Sequence, residues 1–213
     1  MTKKTIFFAI LFCGSILVGC AMIGPIMSDV EKPKYQATAL TNDIELRSYD
    51  PMLVASVQMS GKRKTAISEG FRVLADYIFG NNTLDQNISM TAPVEQQTGQ
   101  KIAMTAPVQQ QQKASNSWII SFVMPNQFSL KTIPKPNNEM ITLNEVPAQR
   151  FITIRFSGTN SDDNVKQNES ALFNYIAQNK INVTGEPKYA FYNPPWTLPF
   201  MRRNEIMVQL LDD

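Results

Sequence analysis

Apolar and polar positions divide the chain into regular segments. Ile44-Glu45-Leu46-Arg47-Ser48-Tyr49 alternates with a period of two, the pattern of a strand with one buried face. Asp50-Pro51 marks a turn, and Met52 to Met59 predicts a second strand rich in Val and Met. Gly61-Lys62-Arg63-Lys64 breaks the pattern with a short basic cluster. From Thr65 to Phe79 the period becomes helical: Ile67, Phe71, Leu74 and Ile78 form one stripe, and Gly80 follows as a C-terminal cap. Ala66, Gly70 and Ala75 lie near this stripe, thin the helix surface and permit a groove beside it.

The next stretch holds one phrase twice, Ile88-Ser89-Met90-Thr91-Ala92-Pro93-Val94 and Ile102-Ala103-Met104-Thr105-Ala106-Pro107-Val108. The linker between the copies is polar and contains Gly99, so the pair predicts a β-hairpin. Proline cannot donate to a ladder, which places Pro93 and Pro107 at a sheet edge, a bulge or a strand end. Gln109 to Ser117 reads as a polar loop, and Trp118 to Met124 as an apolar strand ended by Pro125. Phe128 to Glu139 is an irregular connector. Ile141 to Val146 and Gln149 to Phe156 are strands on either side of Pro147. Ser161 is placed to cap a helix over Val165 to Lys180, with Asp162 and Asp163 in its first turn. Tyr189 to Tyr192 is a short strand, Asn193 to Arg203 a Pro-rich aromatic loop, and Glu205 to Leu211 the last strand.

The order repeats. Pro51, Gly61 and Tyr77-Ile78 recur as Pro147, Gly158 and Tyr175-Ile176 at nearly the same spacing. Each half is a strand, a helix and further strands. The expected fold is α+β, with two pseudo-symmetric halves, a distorted antiparallel β-barrel or curved sheet, and two helices outside it.

Composition narrows the chemistry. The 213 residues include no histidine, which removes the usual general base, the commonest metal ligand and every Ser-His or Cys-His arrangement. The net charge is +2, and Lys3 and Lys4 account for it, so nucleic acid is not an expected partner. Asp50, Glu69 and Asp76 lie near the first helix without the spacing of an acid-base pair, and no activated nucleophile can be argued. No catalytic residue, no metal ligand and no enzyme activity are therefore expected. At the N-terminus, a basic start and an apolar run from Thr5 to Val18 read as a secretory signal, too short for a comfortable membrane span. Its ending, Leu17-Val18-Gly19-Cys20, resembles a bacterial lipobox. That resemblance implies a signal peptide over residues 1–19, lipidation of Cys20, a tether over 20–34 and a globular domain over 35–213. With Ala21 after the cysteine, the implied address is the cell envelope, at the outer membrane facing the periplasm.

Several phrases together resemble the SOUL haem-binding proteins. They are the twin Met-Thr-Ala-Pro-Val copies, Met124-Pro125-Asn126-Gln127-Phe128, Leu143-Asn144-Glu145-Val146-Pro147-Ala148, Arg155-Phe156-Ser157-Gly158, and Tyr192-Asn193-Pro194-Pro195 followed by Arg202-Arg203-Asn204-Glu205-Ile206. The resemblance spans about Tyr35 to Leu210 and implies non-catalytic binding of haem or another porphyrin, for buffering, scavenging or transfer. By the same resemblance, the ring would lie in a groove formed by Phe71, Leu74, Ala75 and Ile78 of the first helix and Tyr192 and Trp196 of the last loop. Lys64, Arg72, Arg202 and Arg203 are the candidates to meet the propionates. With no histidine, an iron ligand would have to be Tyr192, Met90, Met104 or another methionine, or absent. The alternative is a cell-envelope protein-interaction module on the same fold, without a small ligand.

Overall fold

The computed structural model describes residues 30–83 and 99–211. The first copy of the repeated phrase, Ile88 to Val94, and the signal and lipobox residues lie outside the described residues.

Eleven strands and two helices alternate along the chain. They are β1 (Tyr35–Ala39), β2 (Ile44–Tyr49), β3 (Met52–Ser60), α1 (Arg63–Ile78), β4 (Asn82–Thr83), β5 (Val108–Ala114), β6 (Ser117–Val123), β7 (Lys135–Pro136), β8 (Ile141–Val146), β9 (Gln149–Phe156), α2 (Asp162–Gln178), β10 (Val183–Phe191) and β11 (Asn204–Leu210). Nine strands make one sheet in the order β1-β2-β9-β11-β10-β5-β6-β3-β8, antiparallel throughout, and β4 and β7 pair separately. This is the expected α+β architecture, realised as an open, curled sheet.

The pseudo-two-fold is visible in the strand order. β8-β3-β6-β5 on one side mirrors β2-β9-β11-β10 on the other, and the axis passes between β5 and β10, where Gln110 faces Tyr189. The halves are interlocked: β2 pairs with β9 of the second half, and β8 with β3 of the first. Both central strands carry a register shift, between Gln112 and Ala114 and between Thr184 and Lys188, and such bulges bend a sheet.

Both helices cover one face, α1 on β3 and β6, and α2 on β9 and β11. Under α1 lie Ala55, Val57 and Ile120, and under α2 lie Ile152, Ile206 and Val208, all buried with Leu74, Ile78, Leu172 and Ile176 in one core. Burying such side chains contributes about 1.5–3 kcal/mol each. The small residues of α1 have a specific use here. Ala66 and Gly70 are buried, and a Cβ on Gly70 would lie 2.9 Å from Ile120 Cδ1. The helix sits flush on β6, so the space the small residues open is filled by Ile120 and offers no groove at that point. Gly80 caps α1 from a positive φ of 123°, and Ser161 caps α2 by accepting from Asn164 N at 3.4 Å.

Four readings of the pattern differ from the structure. Gln109 to Ala114 is strand β5, whose outward glutamines hid a position in the middle of the sheet. The second copy of the repeated phrase forms no hairpin strand: Ile102 to Pro107 runs without ladder pairing, with a cis bond before Pro107, and only Val108 enters β5. β1, whose residues are mostly exposed, and the first half of β10 carry no clear period and were not expected. Residues 30–34, expected as tether, lie on the body: the Glu31 carbonyl accepts from Ala106 N at 3.0 Å and that of Lys34 from Asp50 N at 3.2 Å.

Candidate functional site

The side chains expected to line one groove fall into two groups on opposite faces of the sheet. Leu74, Ala75 and Ile78 are buried, Leu74 and Ile78 in the core beneath the helices. Phe71 is 38% exposed at the flank of α1, its ring packed edge-on against Phe122 at 5.4 Å. Tyr192 belongs to the second core cluster with Tyr49, Ala106, Phe151, Ala190 and Met207, on the face away from the helices. Trp196 is 60% exposed in the loop between β10 and β11. The structure therefore groups Phe71 with Leu74 and Ile78, and separates Tyr192 from them.

That loop has a tightly built base and a bare tip. Tyr192 N donates to Arg203 O at 3.2 Å, and Arg203 N to Asn193 Oδ1 at 2.6 Å, which closes the neck. Arg202 donates from Nε to Thr197 O at 2.7 Å and from Nη2 to Pro195 O at 2.5 Å, so it braces the loop from inside. Gly158 N donates to Pro199 O at 2.8 Å, tying the loop to the start of α2. A short 3₁₀ turn, Pro199–Met201, follows. Leu198 and Phe200 project into solvent with Trp196, Phe200 at 74% exposure. The loop thus holds three exposed apolar side chains on a braced neck.

Below the neck lies a buried charge network. Glu205 on β11 accepts from Arg47 of β2 twice, at 2.6 Å and 2.9 Å, in the fork geometry that suits a carboxylate. It also accepts from Tyr192 Oη at 2.8 Å and from Arg203 Nε at 2.6 Å. Arg47 further donates to Tyr49 Oη at 3.0 Å and pairs with Glu45, and it stacks over the Tyr35 ring at 4.5 Å. Arg203 lies 4.1 Å from the centroid of the Tyr192 ring and reaches Tyr35 Oη at 2.9 Å. Two arginines and two glutamates leave the cluster neutral. Burial alone would raise the Glu205 carboxyl, but its bonds to Arg47 and the charges of Arg47 and Arg203 hold it below the usual carboxylate range. Burial pushes the Tyr49 hydroxyl up to about 12, and burial with the nearby Glu205 charge raises Tyr192 well above its ordinary value.

This network decides which candidates remain available to a ligand. Arg202 braces the loop, Arg203 serves Glu205, and the Tyr192 hydroxyl is held by the same carboxylate. Lys64 and Arg72 are exposed on α1, and Lys64 lies two turns from Phe71 on the same side of the helix. Met104 is 40% exposed near the end of α1, where Ile102 N donates to Ile78 O at 2.8 Å. Met90 lies outside the described residues. Among the described residues, no three acidic or cysteine side chains cluster as a metal site.

Arg47 and Tyr49 were not singled out from the sequence. They occupy the polar phase of an alternating strand, the phase that normally faces water, and their burial depends on a neighbour 158 residues away in each case. Glu205, part of a quoted motif, was visible as a residue but not as the hub.

The sequence profile of the SOUL heme-binding protein family matches residues 30–209. The chain belongs to this family. Its motif phrases now have a physical content: Tyr192-Asn193 and Arg203-Asn204-Glu205 are the neck of the loop and the hub beneath it. No curated protein matches the chain. Among solved structures, it is similar to the EcmrR C-terminal domain, with a TM-score of 0.57, 14% identity, and coverage of 84% of this chain and 99% of that one. It is also similar to a hydrolase from Listeria innocua, with a TM-score of 0.52, 6% identity, and coverage of 80% and 93%. At these identities the likeness is one of fold. Among the described residues, no helix is long and apolar enough to cross a membrane.

Proposed function

We propose that this protein is a lipid-anchored, extracytoplasmic binding protein for haem or a related tetrapyrrole, without catalysis. Family membership over residues 30–209 carries the proposal. Lipid on Cys20 would hold it to the membrane, at the bacterial envelope. The exposed aromatic side chains open to a ring are Phe71 on the flank of α1 and Trp196 and Phe200 of the loop, and Lys64 and Arg72, exposed on α1, would meet the propionates. Stacking of a porphyrin on aromatic side chains and charge pairing at its edge need no iron ligand.

Hemin titration tests this. Trp118 is buried and Trp196 is exposed, so a Trp118→Phe variant makes tryptophan emission a reporter of the loop. Saturable quenching with a Soret shift, the Soret shift being lost in Trp196→Ala/Phe200→Ala, supports the reading. Absence of both at micromolar hemin rejects it. The filled space under α1 and the bare loop tip favour one other reading, a protein-interaction module of the envelope. It predicts a partner captured through Trp196 and Phe200, with hemin binding unaffected by their removal.

A further inference from the structure

The face of the sheet away from the helices carries a cleft that the tetrapyrrole reading does not use. It crosses the pseudo-two-fold axis and has a volume of about 140 Å³. Its apolar walls include Val54, Ile119, Val146, Phe151 and Met207, while Ser121, Asn144, Gln109 and Gln149 also line it. One full charge faces into it, Lys188. Its ammonium lies 5.0 Å from the centroid of the Phe151 ring and 3.4 Å from Gln149 Oε1, and no carboxylate lines the cleft. The buried Glu205 and the half-buried Glu45 are committed to Arg47 and Arg203.

A largely desolvated cation with no carboxylate paired to it among the described residues is costly, and burial lowers the proton affinity of this amine. An apolar pocket with one charge and a few neutral polar groups is the usual form of a small-molecule site. Size sets the rest. A cavity of about 150 Å³ accepts a single benzene ring, so this one has no room for a porphyrin. Phe151 and Met207 offer an aromatic ring and a thioether for a flat ring to lie against. A carboxylate would supply the missing counter-charge and receive charge-assisted hydrogen bonds.

We propose that this cleft is a second ligand site, for a monocyclic aromatic carboxylate, with Lys188 as its anchor and Phe151 and Met207 as its ring contacts. The site shares no residue with the surface proposed above for the tetrapyrrole.

Benzoate is the probe, titrated calorimetrically into the purified protein beside benzyl alcohol and benzylamine. Saturable one-to-one binding of benzoate is expected, with both comparison compounds at least about tenfold weaker. Lys188→Gln should lose at least about tenfold in affinity and Lys188→Arg should retain most of it. Ser121→Phe, which fills the cleft without altering charge, should abolish binding while far-UV circular dichroism stays unchanged. No saturable binding at millimolar benzoate overturns the proposal. So does equal binding of benzylamine, or unchanged affinity in Lys188→Gln or Ser121→Phe. Hemin titration at saturating benzoate should match that without it; mutual displacement would overturn the two-site assignment.

Discussion

The two halves share a skeleton and differ in what they build on it. Arg155 and Gln58 each lie three residues before the glycine that ends their strand, Gly158 or Gly61, and they face Glu205 and Ile119 across the ladder. Ile119 is therefore the counterpart of Glu205, and by the same counting Asn144, facing Val54, is the counterpart of Arg47, facing Phe151. One half buries an ion pair where the other places an aliphatic and an exposed amide. The connections differ likewise. β5 and β6 join through Ser115-Asn116, with Asn116 at a positive φ of 57° and its carbonyl accepting from Gly61 N. β10 and β11 join through Tyr192 to Arg203, and there Pro199 takes the role of Asn116 at Gly158. A duplicated fold thus needs only a tight turn at this position. The second half instead carries a longer loop at this position, anchored on a buried charge hub.

The hub is where the comparison breaks hardest. Arg47→Met strands the buried Glu205 charge and should cost about 3–5 kcal/mol in urea unfolding, whereas Asn144→Met should stay within about 0.5 kcal/mol. Equal costs would remove the energetic distinction between the halves.

Acid sharpens the same point. The folded Glu205 carboxyl holds its proton less tightly than an unfolded one, so its contribution is complete above the unfolded value near pH 4.3 and is lost as pH falls below it. Glu205→Gln should be less stable at neutral pH, with an acid limb shallower by up to about 1.4 kcal/mol per pH unit. An unchanged limb would show that Glu205 does not titrate with unfolding.

Replacing Pro194–Arg202 by a two-residue Asn-Gly turn makes the second half resemble the first. The sheet should persist by circular dichroism, and hemin affinity should fall by about tenfold or more, about 1.4 kcal/mol. Retained affinity would move the ring off the loop. The smallest effect is expected at Thr153, buried in β9 with a hydroxyl that has no partner among the described residues. Thr153→Val should raise stability by about 1 kcal/mol, seen as a higher midpoint in urea.

Much of the architecture was legible because periodicity survives wherever one face is buried. β2, β3, β6, β8, β9, β11 and both helices all follow it, and the Pro-Gly-Tyr spacing exposed the duplication. β5 was hidden because its Gln-rich sequence puts polar groups on both faces of a central strand, including Gln110, whose buried amide oxygen lies 3.4 Å from Arg63 Nη1. The site was less legible. The family resemblance placed Leu74 and Tyr192 in one groove, but the sheet stands between them. Lys188 follows a bulge at the end of an unexpected strand segment, so no period pointed it into a cleft.

The exchange of outer strands between the halves sets the order in which the chain can fold. Ile44 pairs with Ile154, 110 positions later, and Ile141 pairs back with Val57. A chain that emerges N-terminus first, from a ribosome or through a membrane, can close the layer of β3, β6 and β5 early. It cannot seat β2 until residue 156 is free. Such non-local closure is slow and cooperative, so neither half is a stable product by itself. Synthesis of either half alone should yield an aggregation-prone strand edge rather than half a barrel.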